Sequence, residues 1–387
     1  MKDEKHKVPK LRFPEFTDDW EQRKLSDVTE EFQSGRFIAA KDIGETGEYP
    51  VYGGNGLRGY CNTYNHDGDY ALIGRQGALC GNMSYSYGKA YFTEHAVAVK
   101  ANDYSNTKFL YYLLDKMNLG QYSDQSAQPG LAVGKLVKLQ NMFPSKLEQY
   151  KIGDFFTKID DTVTLHQRKC DAIKEYKKGM LQKMFPKKGQ TTPEIRFPGF
   201  TDDWEQRKFV DITYAAGKRN KKNLPLEPFA ITNDRGFVPQ NEAHDEFGYM
   251  KEVDRSMYMI VEPNSFAYNP ARINVGSLGY YDGQENVVVS SLYEVFQTTE
   301  DIDDTFLSHW FKTKIFHNWI ERLQEGSVRL YFYYDKLCEC KIMIPSIQEQ
   351  KKIGAALEQL DQSITLHQRK IEDMKELKRG LLQQMFV

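Results

Sequence analysis

A chain that states the same phrase twice has to fold around that repetition. Residues Arg12–Lys24 read R-F-P-E-F-T-D-D-W-E-Q-R-K, and Arg196–Lys208 repeat them with one change, Glu15 becoming Gly199. A second phrase, Thr164-Leu-His-Gln-Arg-Lys169, returns as Thr365-Leu-His-Gln-Arg-Lys370. The order is frame, insert, helical segment, then frame, insert, helical segment again, so the chain is a duplication. The inserts, residues 25–143 and 209–344, share no evident sequence beyond an order of features near their ends. A scaffold copied around unlike inserts implies one surface used twice for identical partners, with inserts that read two different things.

The 387 residues are enough for about two or three domains with cores of their own. Forty per cent apolar and 27% charged residues place the chain among soluble globular proteins. No stretch approaches the ~20 apolar residues of a membrane span, and the charged start Met1-Lys-Asp-Glu-Lys-His-Lys7 has no apolar core. A cytoplasmic protein with no membrane partner is expected. The five cysteines form no C-x-x-C pair, which supports neither a zinc ribbon nor a disulfide framework, and Cys338-Glu-Cys340 reads as ordinary strand. A net charge of −2 gives no global attraction to nucleic acid. The second insert, with 14 Lys+Arg against 20 Asp+Glu, argues against simple electrostatic binding.

From Lys146 to Met184 there is no proline, and apolar residues recur at steps of three and four: Phe156, Ile159, Val163, His166, Cys170, Ile173 and Met180, interrupted at Lys177. The second copy runs Leu357, Leu360, Ile364, His367, Ile371, Met374 and Leu381, interrupted at Lys378. Such spacing is the narrow seam of paired helices, here of ~40 residues and ~60 Å each. Ser145 and Ser346, each after a proline, are the candidate N-caps. Two seams related by duplication are expected to bury each other antiparallel, with pseudo-twofold symmetry. His166 and His367 are expected to be polar register residues within the seam rather than metal ligands. The domain reading is a frame at 1–24, an insert at 25–143, a helix at 145–186, linker and frame at 187–208, an insert at 209–344 and a helix at 346–387.

Both inserts read as α+β globules. The first has short alternating runs bounded by Gly and Asn, then a helix at Asn106–Met117; the second has valine-rich Val287–Val289 and a helix from about Asp303 to Leu323. Both close with a short strand into Phe143-Pro144 or Ile344-Pro345. No phosphate loop or dinucleotide fingerprint is present, and Gly130-Leu-Ala-Val-Gly-Lys135 is one residue short of the former. Tyr268-Asn-Pro-Ala-Arg272 lacks the second proline and the stacking aromatic of an amino-methyltransferase motif, and Asn65-His-Asp-Gly-Asp69 reads as a hairpin turn rather than a metal loop. Nothing predicts catalysis. Recognition is better supplied: Arg and Lys forks, Asn and Gln amides and close-approach glycines are what base reading uses. The candidates are Asn55, Arg58, Arg75, Gln76 and Gln128 in the first insert, and Lys218, Arg219, Lys221, Lys222, Asn233, Arg235, Arg272, Asn274 and Arg329 in the second.

The repeated R-F-P-x-F-T-D-D-W-E-Q-R-K frame, the two P-S-x-x-x-Q helix starts with T-L-H-Q-R-K, and the insert phrases Ile73-Gly-Arg-Gln-Gly77, Gln128-Pro-Gly-Leu131 and Tyr268–Gly276 together resemble the specificity subunit of type I restriction-modification enzymes, over essentially the whole chain. The resemblance implies two target-recognition domains, each reading one half of a split, asymmetric double-stranded DNA target, with the helices as a spacer that sets the unread gap. It further implies two methyltransferase subunits docked on the repeated regions for adenine methylation, and restriction subunits joining the complex. S-adenosylmethionine, ATP and magnesium would then belong to those partners, with no cofactor in this chain and no catalytic role for it. Two other readings fit the residues less well: a protein-interaction scaffold binding two identical partners, and an enzyme built from the aromatic clefts of the inserts.

Overall fold

The two proline–serine pairs start the two longest helices of the computed structural model, Lys146–Lys183 and Ile347–Met385. Ser145 Oγ accepts from the Glu148 amide at 3.4 Å, as an N-cap does. The structure describes residues 8–123, 129–233, 235–243 and 254–387. They divide into one unit of Met1–Arg168 with Gln368–Val387 and another of Lys169–His367, so each unit holds one part of each long helix.

In the first unit Phe156 packs on Phe386 with ring centroids 6.0 Å apart, and Asp160 meets Lys378 at 2.7 and 2.9 Å. Residue numbers rise along one helix as they fall along the other, so the helix parts run antiparallel. In the second unit Cys170 Sγ lies 4.0 Å from Ile364 O, and Lys177 pairs with Asp361, giving the same antiparallel sense. Ile152, Phe156 and Ile159 join Leu382, Met385 and Phe386 in one core; Met184 and Phe185 join Ile353 and Leu357 in the other. Lys177 and Lys378 do not interrupt the stripe. Each carries its ammonium to a carboxylate across the seam, and Lys177 is only 7% exposed. His166 and His367 are half-buried.

The frames repeat contact by contact. Arg12 clamps the fully buried Glu148 at 2.8 Å through both Nε and Nη2 and also donates to Asp18 O; Arg196 does the same to Glu349 and Asp202 O. Trp20 packs against Phe109 and Phe386, and Trp204 against Phe306 and Phe185. Glu21–Lys24 pairs with Gln140–Phe143, and Glu205–Lys208 pairs with Lys341–Ile344 in the same antiparallel register. Gly153 and Gly354 let the long helices touch the start of an insert helix. A Cβ at Gly153 would sit 2.9 Å from Lys108 Cβ and 3.1 Å from the Phe109 amide, and one at Gly354 would lie 3.0 Å from the Phe306 amide.

The inserts, unlike in sequence, are alike in fold. In the first, Thr29–Ser34, Ala96–Ala101, Tyr70–Gly74 and Met83–Ser86 lie side by side in that order; in the second, Thr213–Ala215, Glu294–Thr298, Ser265–Tyr268 and Leu278–Tyr281 do the same, all antiparallel. Ala71 faces Val99 where Phe266 faces Phe296. A three-stranded sheet accompanies each, formed by Gly56–Cys61, Tyr49–Gly53 and Tyr91–Phe92 in the first insert and by Lys218–Arg219, Met259–Val261 and Val287–Val289 in the second. The chain is α+β, as expected.

Three local expectations are corrected. The helix expected from Asp303 to Leu323 is two, Asp304–Trp310 and Lys314–Leu323, because the Thr313 hydroxyl donates to Trp310 O and caps the second helix at Phe316 N. Cys338 lies in a helix, Tyr334–Glu339, and the strand begins only at Lys341, with Cys340 buried at the junction. Asn65–Asp69 is no hairpin turn, since the strands before and after it belong to different sheets. His66 is buried there, bonded to Glu31 Oε1 at 2.8 Å and stacked on Phe92 at 4.4 Å.

Candidate nucleic-acid interface

In both inserts the central strand of the four-stranded sheet runs out into a loop that other loops bind through their backbones. In the first this is Arg75-Gln76 after Tyr70–Gly74. The Arg75 amide donates to His95 O and its carbonyl accepts from Leu131 N, both at 2.9 Å, while Gly77 N donates to Pro129 O at 3.1 Å. Gly74 is pressed so close to the Gly54 carbonyl that a Cβ would sit 2.3 Å from that oxygen, which fixes the 53–56 hairpin tip beside Arg75. Asn55, Arg58 and Gln76 are exposed at this edge and Arg75 is half-buried. Gln128 lies outside the described residues.

In the second insert Ser265–Tyr268 runs into the loop that carries Arg272 and Asn274, both exposed. Asn233 and Arg235 lie at the tip of the Phe229–Thr232/Gly236–Pro239 hairpin. That tip is seated on the loop by Ser277 Oγ donating to Ile231 O at 3.2 Å and by Gly276, whose left-handed φ of 93° leaves the position of its missing Cβ 3.7 Å from Asn233 Cβ. The stretch holding Arg329 closes on itself through Glu325 and Tyr331 and joins the loop by Phe332 N donating to Pro270 O at 3.0 Å. That bond matches Leu131 N to Arg75 O in the first insert. Hairpin tip, post-strand loop and the segment before a short helix therefore converge in both units, although the two inserts are unlike in sequence.

The lysine-rich candidates stand apart. Lys218 and Arg219 form an edge of the three-stranded sheet, with Lys218 Nζ on Glu262 at 3.0 Å, and exposed Lys221 and Lys222 follow in the turn. Arg235 reaches back to Glu242 O at 3.4 Å. Two residues escaped the sequence reading. His95 bonds Gln76 Oε1 through Nδ1 at 3.1 Å, and exposed Arg36 is held beside it by its amide on Phe92 O. Ser34-Gly35-Arg36 occupies the place of Ala216-Gly217-Lys218, where Gly35 and Gly217 both donate to the neighbouring strand's end. That shared Gly-basic pair was the available signal.

Exposed forks and amides on loops can donate to base edges and phosphates. Among the described residues one His/Asp/Glu group has the closeness of metal ligands, His309 with Glu358 and Asp361. Its Asp361 is already held by the ammonium groups of Lys177 and Lys312. No described helix is long and apolar enough to cross a membrane.

The repeated frames, paired helices and two loop-bearing inserts define a duplicated recognition protein. The family model of the type I restriction modification DNA specificity domain matches residues 17–175 and again 201–376. The chain therefore belongs to the type I restriction-modification DNA specificity family, the subunits that recognise DNA while methylation and cleavage are carried by others. It is 43% identical over 154 residues to the EcoprrI specificity subunit of Escherichia coli, a match spanning 39% of this chain and 38% of that one. A putative specificity subunit of Haemophilus influenzae is 21% identical over 357 residues, 88% of this chain and 87% of its own. The crystal structure of a type I S subunit from M. genitalium shares the fold, with a TM-score of 0.70 at 15% identity over 98% and 99% of the two chains.

Proposed function

We propose that each insert reads one half of a split, asymmetric duplex target, and that the repeated frames and helices seat two methyltransferase subunits, so that one adenine is methylated on each strand. Restriction subunits join the same complex, and S-adenosylmethionine, ATP and magnesium reside on these partners. The observation that carries this reading is the contrast between scaffold and inserts: Arg12, Trp20, Glu148 and their counterparts repeat bond for bond, while the loops after the equivalent strands Tyr70–Gly74 and Ser265–Tyr268 carry different side chains, Arg75 and Gln76 in one, Arg272 and Asn274 in the other. Identical seats call for identical partners, and unlike loops call for unlike half-sites.

The reading residues we assign are Asn55, Arg58, Arg75, Gln76 and Gln128 in one half, and Asn233, Arg235, Arg272, Asn274 and Arg329 in the other. Lys218, Arg219, Lys221 and Lys222 are assigned to the phosphate backbone, which fits their separate sheet edge. Arg75→Ala and Arg272→Ala are each expected to weaken cognate binding by ~1–3 kcal/mol and to relax one position of the target, whereas Lys222→Ala weakens all sequences alike. Sequencing the methylated adenines in DNA exposed to the assembled complex tests this. A symmetric or unsplit methylated motif, or Arg variants that methylate as the parent does, overturns it.

A further inference from the structure

A cleft of about 1490 Å³ in the second unit lies between the end of the first long helix, the linker after it and the helix Lys314–Leu323. Among the described residues nine basic side chains and a single acid, Asp361, line it. Asp361 is already bonded to Lys177 and Lys312. Lys174, Lys188, Lys314, Arg322 and Lys341 are exposed there and carry no ion pair among the described residues. The wall between these cations is apolar, with Leu181, Ile315, Trp319 and Met343 half-exposed, and Arg322 lies over the Trp319 ring at 5.2 Å. The helix part of this charge is duplicated, since Lys174, Lys177 and Lys178 recur as Lys375, Lys378 and Arg379, but the insert part is not. The first-unit counterparts of Lys312, Lys314 and Lys341 are Asp115, Met117 and Gln140.

We propose that this cleft binds a segment of single-stranded nucleic acid, with phosphates on Lys174, Lys188, Lys314, Arg322 and Lys341 and a base stacked on Trp319. A duplex offers its phosphates but hides its base faces, so it gains nothing from an indole wall. A single strand presents both. An acidic peptide also carries negative charge and apolar groups, and the choice of nucleic acid over it rests on the DNA-reading function proposed above. The site lies outside the reading loops and draws Lys174 and Lys188 from outside the insert, which supplies cations that an acidic insert lacks.

The test is titration of the full chain with oligothymidylate, read by intrinsic fluorescence. Trp204 and Trp310 also line the cleft but are each 2% exposed, as is Trp20, so the emission change is assigned to half-exposed Trp319 by its loss in the Trp319→Phe variant. Saturable binding is expected. Trp319→Phe should abolish the emission change, and Trp319→Ala should weaken binding at least about fivefold. The pair Lys314→Ala with Arg322→Ala should lower the slope of log K against log salt by about 1.4, at ~0.7 per phosphate contact. No binding at low salt, unaltered binding by the Lys314/Arg322 variant, or polyglutamate or random duplex bound as tightly with the same emission change would each overturn the inference. Methylation of cognate duplex by complexes carrying the same variants is expected to persist. Its persistence together with failed oligothymidylate binding sinks the cleft alone, while the Arg75 and Arg272 variants judge the reading function separately.

Discussion

Asp160 and Asp361 are the same residue of the duplication, and what surrounds them differs. In the first unit Asp160 takes Lys378 on both oxygens and accepts from the Tyr112 hydroxyl at 2.8 Å, with the Lys378 ammonium 5.0 Å from the Tyr112 ring centre. In the second unit Lys177 repeats Lys378, but the tyrosine is replaced by buried His309, and Lys312 adds a second cation at 3.3 Å. Burial first, then Lys312 and Lys177, pushes His309 down to about 3, so it is neutral where it sits. Asp361 is held below the usual carboxylate range chiefly by Lys312 and Lys177, against its burial. The bridge between the long helices is thus retained in both units, whereas the neighbour supplied by the insert is free to change. Contacts internal to the scaffold are copied; contacts that an insert contributes need only be compatible.

The strongest test of copying is the buried carboxylate. Arg12→Ala strands Glu148, and Arg196→Ala strands Glu349, each fully buried. Each should cost about 3 kcal/mol, the lower end for a broken buried pair because the guanidinium is partly open to water. Denaturant midpoints should move equally for the two variants, and unequal losses would break the equivalence. Gly153→Ala and Gly354→Ala come next, at ~1–3 kcal/mol each from overpacking against an insert helix.

The third prediction separates the units by pH. The folded-state pKa of His309 lies below its unfolded value near 6.5, so the unfolded chain binds the proton more tightly and stability is lost as pH falls through 6.5. Between pH 6.5 and 5, above the carboxylate range, the second unit should weaken by up to about 2 kcal/mol, or ~1.4 per pH unit. His309→Tyr, which installs the first unit's residue, should remove that slope. Equal acid sensitivity with and without His309 would refute the assignment. The smallest effect is expected at the one frame difference. Lys151 pairs with Glu15 and lies over Phe16, while its counterpart Lys352 lies over Phe200 with Gly199 in place of the acid. Glu15→Gly should leave the thermal midpoint unchanged, since the pair is exposed.

The sequence disclosed what repetition and periodicity encode: the frames, the helix starts and the seam from Phe156 to Met180. It hid the common fold of the inserts, because a sheet position asks only for an apolar side chain of suitable size and Ala71–Val99 satisfies it as well as Phe266–Phe296. Lys177 read as a flaw in the stripe because its partner lies 184 positions along the chain. The break at Thr313 was missed since a threonine inside an apolar run gives a weak local signal until its hydroxyl finds Trp310 O. Of the site, loop chemistry was legible and loop convergence was not. Nothing in the spacing of Arg58, Arg75 and Pro129 reveals that backbone bonds gather their loops at one edge.

The pairing of Glu21–Lys24 with Gln140–Phe143, and of Glu205–Lys208 with Lys341–Ile344, means that each insert leaves and rejoins the scaffold on adjacent strands in an unchanged register. The doorway is the same width whatever passes through it. One insert could therefore take the place of the other at these strand pairs with the register of the joining strands kept.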